Sequence, residues 1–308
     1  MPISPAAPII PAQKPLRADN GLGLMFMAIG MLSYSGVDAM AKLLTADFHP
    51  IQIVWIRQSG LVLGVLVMLC LRGTAVLRTD HPRLQIVRGA LAAGSATLFI
   101  FAVSYVPLAD AVAVSFVAPF IVTALGALIL REPVGRRRWI AVIIGFMGTL
   151  IVVRPGLGVI HPAVMLVMLA ASMFAVRQII SRMLSGGDRT STTVAYTALV
   201  SSAILILPLP FVWVTPSTGT QISLLAACAL AAALGEICVI KAMEVAQAVV
   251  VAPVQYSMLI WGTILGYLVF GQLPDGWTLF GASIIMSTGL YTLHRERLAM
   301  RARRMGRA

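Results

Sequence analysis

The chain has 308 residues, 59% of them hydrophobic and only 11% charged, and its mean hydropathy is +0.94. A soluble domain carries about 25% charged residues, so the composition excludes a soluble globular protein and points to many apolar helices in a bilayer. The net charge of +12 would suit a nucleic-acid binder, but the placement of the basic residues gives it another cause, and no nucleic-acid partner is expected.

In chain order, residues 1–20 are rich in proline and alanine and read as a disordered cytoplasmic tail. The apolar run that follows is too long for a signal-peptide core. A helix needs about 20 mostly apolar residues to cross the hydrocarbon. Ten such runs follow, at 22–44, 50–71, 84–104, 110–130, 138–153, 162–184, 191–214, 221–243, 248–271 and 275–294, the fifth being short. Breaker-rich joints separate them, among them "DFHP", "VPLAD", "RPGLGVIHP", "SGGDR", "TPSTGT" and "QLPDG". The expected fold is an all-α integral membrane protein of ten transmembrane helices.

Basic residues at span ends set orientation. Eighteen fall on one side, including Arg72, Arg78, Arg83, Arg131, Arg136, Arg137, Arg138, Arg189 and the cluster from Arg295 to Arg307. Two, Lys42 and Arg154, fall on the other, and Arg57, Arg88 and Arg177 lie within spans. Both termini are therefore expected in the cytoplasm, and the high charge is explained by topology. The basic tail over 298–308 is an orientation anchor or a contact for anionic lipid heads.

Ten spans with both ends on one side suggest two inverted halves, 21–155 and 156–297. "GVDAMAKLL" (36–44) loosely matches "AVRQIISRML" (175–184), and "ADA" (109–111) and "AQA" (246–248) each precede an Ala-Pro pair. Secondary transporters are commonly built from such repeats, with the site near the midplane.

Cys70, Cys228 and Cys238 lie in apolar runs, and His49, His81, His161 and His294 are scattered. No metal-ligand spacing arises, and neither a metal nor a cofactor is expected. No H-E-x-x-H, G-x-S-x-G or Walker A sequence occurs, which argues against a membrane-embedded enzyme and against ATP hydrolysis by that route.

Ionisable groups within spans usually face the bundle interior and are functional candidates. At 1.5 Å per residue, Asp38 and Arg57 lie roughly 10 Å below one surface, and Arg177 and Glu236 roughly 10 Å below the other. Two depth-matched pairs result, open to a structural or to a gating and substrate-binding reading. An arginine opposite each carboxylate argues against simple proton shuttling at either. Lys42 and Arg88 read as snorkelling groups, Lys42 with Asp38 within reach along the helix. Asp110 reads as a helix cap. Tyr34 lies one turn from Asp38, and Gln255 and Tyr256 follow Pro253, whose missing donor either lines a cavity or makes a packing kink. Gly60 and Gly64, and Gly262 and Gly266, read as close helix contacts. The candidate substrate-binding or gating set is Tyr34, Asp38, Arg57, Arg177, Glu236, Gln255 and Tyr256.

The stretch "YVPLADAVAVSFVAPFIVTALGALILREPVGRRRWIAVIIGFMGTLIVVRPG" (105–156) resembles the first-half core of EamA-type carriers of the drug/metabolite transporter superfamily. "PVQYSMLIWGTILGYLVFGQLPDGWTLFGASIIMSTGLYTLHRER" (253–297) is similar to the second-half core, and "DAMAKLL…HPIQIVWIRQ" (38–58) to the opening. The resemblance implies an inverted five-plus-five repeat around one cavity, lined mainly by spans 1, 3, 4, 6, 8 and 9. Arg57, on span 2, would then be a neighbour of that cavity. Where the family carries Gly-Glu, this chain has Gly271–Gln272 and Arg131–Glu132, both expected at cytoplasmic helix ends. The implied function is secondary transport of a small polar metabolite by alternating access across the bacterial inner membrane, with amino-acid export leading. Uptake of riboflavin or S-adenosylmethionine is the alternative, and an enzyme or non-transporting membrane partner the rival from another class. A monomer or homodimer is expected. In the gating reading, Asp38–Arg57 and Arg177–Glu236 act as latches on opposite faces.

Overall fold

The computed structural model describes residues 19–131, 135–154, 161–184, 188–246 and 248–305. The expected tail over 1–18, Glu132 and the last three residues of the basic tail lie outside the described residues. In chain order the helices are α1 (Asn20–Leu44), α2 (Pro50–Arg72), α3 (Pro82–Val103), α4 (Leu108–Ser115), α5 (Ala118–Leu128), α6 (Arg136–Val153) and α7 (Val164–Leu184). They continue with α8 (Thr190–Ile206), α9 (Leu209–Val212), α10 (Gly219–Val245), α11 (Ala248–Val251), α12 (Ser257–Phe270) and α13 (Gly276–Met305), with 3-10 turns at Gly73–Leu77 and Ala252–Tyr256. Among the described residues all regular structure is helical. Seven helical segments are long and apolar enough to cross a membrane: Asn20–Leu44, Pro50–Leu71, Pro82–Val103, Leu108–Leu128, Val164–Leu184, Gly219–Val245 and Ala252–Phe270. The apolar parts of α6 and α8 are shorter, and α13 turns basic over its second half.

Local chemistry fixes the helix ends. Asp19 accepts the Leu22 N–H at 3.0 Å to start α1, and Thr218 and Gln221 form a reciprocal capping box on α10. The runs expected at 110–130 and 248–271 are each interrupted. The first breaks at Phe116–Val117, and the second passes through the 3-10 turn Ala252–Tyr256. Pro119 and Pro253, which cannot donate to the helix ladder, lie beside or within these breaks. The run expected to reach 214 leaves its helix at Ile206 because Pro208 and Pro210 follow.

The packed pairs obey an exchange rule. Exchanging α1 with α7, α2 with α8, α3 with α10, α4–α5 with α11–α12 and α6 with α13 maps α1–α10 onto α7–α3. It likewise maps α1–α12 onto α7–α5 and α2–α10 onto α8–α3. The pairs α6–α13, α2–α8 and α4–α12 map onto themselves. Small residues permit the tightest approaches. A Cβ on Gly60 would fall 2.6 Å from the Ala229 carbonyl oxygen, so α2 and α10 meet backbone to backbone there. One core gathers Val103, Leu108, Val112, Val152, Leu259 and Ile285; another joins Val37, Ile53, Ile100 and Leu225. Large apolar side chains such as Leu63, Leu71, Leu230 and Leu268 stay exposed, as lipid-facing surfaces require.

Contacts between loops sort the two ends of the bundle. At one, Lys42 donates to the Val106 carbonyl (2.7 Å) and to Gln272 Oε1 (3.0 Å), and Arg154 pairs with Asp275. At the other, Asp188 accepts from Thr79 Oγ1 (2.6 Å) and Gln85 Nε2 (2.7 Å). Lys42 and Arg154 thus share an end, as their grouping by charge requires. Gln272 is a correction: it sits at the Lys42 end rather than at the opposite one, where it was expected, because α12 runs toward the end that α1 runs toward.

Candidate functional site

The charged residues expected inside the membrane come together from separate helices. α1 presents Tyr34 and Asp38 one turn apart. Tyr34 donates its hydroxyl to Glu236 of α10 in a short hydrogen bond. Gly235 makes room for it, since a Cβ there would lie 3.2 Å from the Tyr34 ring. Asp38 faces Arg57 of α2, with Nη1 3.7 Å from Oδ1; the Asp38 side chain is 8% exposed and that of Arg57 20%. This is an ion pair at long range rather than a hydrogen-bonded one.

Arg177 projects from α7, a helix outside the α1–α10 pairing. Its charge nevertheless falls within reach of Tyr34, Glu236 and Arg57, so side chains span the space between the α1–α10 pair and the α3–α7 pair. The guanidinium lies over the Phe174 ring at 4.7 Å, and its buried Nε meets no hydrogen-bond acceptor.

Three expectations are corrected here. Among the described residues, Arg177 and Glu236 form no ion pair. Glu236 engages Tyr34 instead, because α1 and α10 close on each other at Gly30 and Gly235 and bring the phenol nearer than the guanidinium. Depth counted from span ends missed this, as α10 runs on to Val245 and the helices are not equal rods. Lys42 does not bridge to Asp38; it reaches Val106 and Gln272. Arg88 does not snorkel outward. Its Nε donates to Ser181 Oγ (2.7 Å), and Nη1 donates to Thr193 O (3.3 Å) and to Thr197 Oγ1. It also lies within electrostatic range of Arg177 and Glu236. Arg88 therefore belongs to the cluster.

Asp110 is likewise no cap. The N-cap of α4 is Pro107, and Asp110 sits buried in the first turn with Oδ1 lacking a partner.

The aromatic part of the expected set lies at the helix breaks. Tyr256, in the 3-10 turn, stacks on Phe116 at 5.2 Å and 25°. Phe116 ends α4 at the other break, so one aromatic pair joins the two interruptions. Gln255 is exposed on the same turn, and no described contact brings it to the charged residues.

The arrangement offers three guanidiniums and two carboxylates, a set suited to a solute carrying both signs. Among the described residues no group of histidine, cysteine and carboxylate side chains fits a metal.

Known proteins bear on this reading. The chain is 27% identical over 278 residues to an S-adenosylmethionine uptake transporter of Rickettsia felis, covering 90% of this chain and 94% of that one. It is 30% identical over 270 residues to a riboflavin transporter of Vibrio cholerae, covering 86% and 90%. It is 26% identical over 268 residues to a pseudopaline exporter of Pseudomonas aeruginosa, covering 86% and 93%. A solved crystal structure matches with a TM-score of 0.61 at 18% identity, over 90% of this chain and 98% of its own, and shares the fold. These bacterial relatives are named as transporters, and with its seven long apolar helical segments the chain is a multi-pass membrane protein. The EamA-like transporter family matches twice, over residues 21–154 and 161–293, and the chain belongs to that family.

Proposed function

We propose that the chain is a secondary carrier for a small metabolite bearing an α-amino-carboxylate, worked by alternating access between two five-helix halves, 21–155 and 156–297. The observation that carries this reading is the gathering of Asp38, Arg57, Arg88, Arg177 and Glu236, with Tyr34, inside an otherwise apolar bundle. A guanidinium takes a carboxylate in a two-point contact, and Asp38 or Glu236 meets the ammonium. Arg177, which lacks an ion-pair partner among the described residues, is the anchor for the solute carboxylate. Ten crossings with both termini in the cytoplasm are supported by the exchange rule in the packing, by the double family match and by the basic residues. The paired helix breaks at Phe116 and Ala252–Tyr256 fit the discontinuous helices that flank carrier sites, and Tyr256 and Gln255 lie on the second of them.

Amino-acid export, the narrower expectation from sequence, falls within this class, as does S-adenosylmethionine, which contains an α-amino-carboxylate. The relatives' names divide between uptake and export, so direction is read from the assay. Riboflavin, favoured by the 30% identical relative, is the second reading and lacks that group.

Counterflow in proteoliposomes separates them, with labelled S-adenosylmethionine, neutral and basic amino acids, and riboflavin. We expect exchange of at least one amino-carboxylate solute, and a rate loss of about tenfold or more in Arg177→Gln, the equivalent of about 1.4 kcal/mol. Exchange of riboflavin alone, or of nothing, rejects the proposal.

A further inference from the structure

A second polar group lies at the Lys42 end, apart from the central cluster. Asp110, in the first turn of α4, is 9% exposed, and Thr278, in the first turn of α13, is 2% exposed. Neither Asp110 Oδ1 nor the Thr278 hydroxyl has a hydrogen-bond partner. Their side chains stand near enough to interact without a hydrogen bond that satisfies either atom, and the Thr278 side chain also lies against the Asp275 carboxylate. Leaving such buried groups unpaired is costly, so their persistence asks for a use.

The charged groups around Asp110 are Lys42 of α1, Arg154 at the end of α6 and Asp275 ahead of α13. The described parts of α3, α7 and α12 bring no charged side chain to this end; His161, ahead of α7, is stacked on Tyr105 at 5.0 Å. Arg154 is committed to Asp275. Lys42 joins α1 to its neighbours: it holds the Val106 carbonyl and Gln272 Oε1, and lies 5.0 Å over the Phe270 ring. It thereby clamps α1 to the α3–α4 corner and to the end of α12.

We infer that Asp110 is a proton-binding site and that its charge decides the position of Lys42. With a proton on it, the Asp110 carboxyl donates to the Thr278 hydroxyl oxygen, and Lys42 stays on Val106 and Gln272, closing this end. Once the proton leaves to water, the carboxylate draws in the Lys42 ammonium, Gln272 is released and α1 parts from α12. An ammonium so close disfavours a metal cation in the same place, which leaves the proton as the ligand. In transport this supplies proton coupling, and that role rests on the carrier reading; the switch itself does not.

The test therefore uses no solute. Spin labels at Ala46→Cys and Leu273→Cys, in the full chain with Cys70, Cys228 and Cys238 replaced by alanine, report the gap between the ends of α1 and α12. In nanodiscs the chain with Asp110 intact is expected to gain a longer distance as pH rises, and Asp110→Asn to hold the short one at every pH. Lys42→Gln, which removes the moving cation and serves if Asp110→Asn does not fold, is expected to lose the pH response too. A pH-independent distance with Asp110 intact, or an unchanged transition in either variant, overturns the inference.

Discussion

At the residue scale, charge is costly in lipid, and Asp38 and Arg57 meet that cost by facing each other. Asp38 and Arg57 stand on either side of a short joint at similar depth, so their pairing followed from helix rise alone. Arg88, Asp110 and the Tyr34–Glu236 bond did not, because each depends on which faces of distant helices meet. No spacing within one helix reports that. Outside the membrane, Asp188 gives a direct check. Burial pushes its carboxyl up, but hydrogen bonds from Thr79 and Gln85, with His81 nearby, outweigh this and hold it below the usual carboxylate range. A lowered folded value means the stabilisation is present above the unfolded value, about pH 4, and is lost as pH falls through the folded one. Asp188→Asn is therefore expected to lower the Tm in detergent by about 2–4 °C at neutral pH, with the difference from the parent chain vanishing in acid. A difference that persists in acid places the loss elsewhere than in the charged hydrogen bonds.

At the element scale, apolar runs were legible from their length, seven of them becoming helical segments long and apolar enough to cross a membrane, and prolines marked where two would break. The length of α13 was not, since a basic amphipathic run reads as a tail until it is seen to continue the helix through Met305. The G-x-x-x-G reading holds for one glycine of the first pair only. Gly60 meets the Ala229 carbonyl, whereas Gly64 faces open space; the motif fixes the spacing of the two glycines and not which of them a neighbour approaches. Gly60→Ala is expected to destabilise the protein by about 1–3 kcal/mol through overpacking, and Gly64→Ala to change little. Thermal unfolding of the two variants in one detergent provides the comparison, and equal effects would remove the α2–α10 contact as the cause.

At the scale of the whole molecule, composition identified a membrane protein and the distribution of arginine and lysine sorted the joints between two ends. The structure keeps that sorting, with Lys42 and Arg154 at one end and the Asp188 network at the other. The relation between halves was faint in sequence, where the Ala-Pro landmarks differ in spacing by three residues. The packed helix pairs obey the exchange rule, as helix pairing tolerates loop changes that shift sequence offsets. Substrate class was not legible beyond a need for both signs of charge, since family motifs hold the scaffold and the solute meets only a few side chains.

Alternating access requires Tyr34, Asp38, Arg177 and Glu236 to line a path that water reaches from each face in turn. The direct measurement is labelling of Tyr34→Cys, in a chain without its native cysteines, by a membrane-impermeant maleimide in right-side-out and inside-out vesicles. Alternating access predicts labelling from both faces. Labelling from one face only, or from neither, would contradict it.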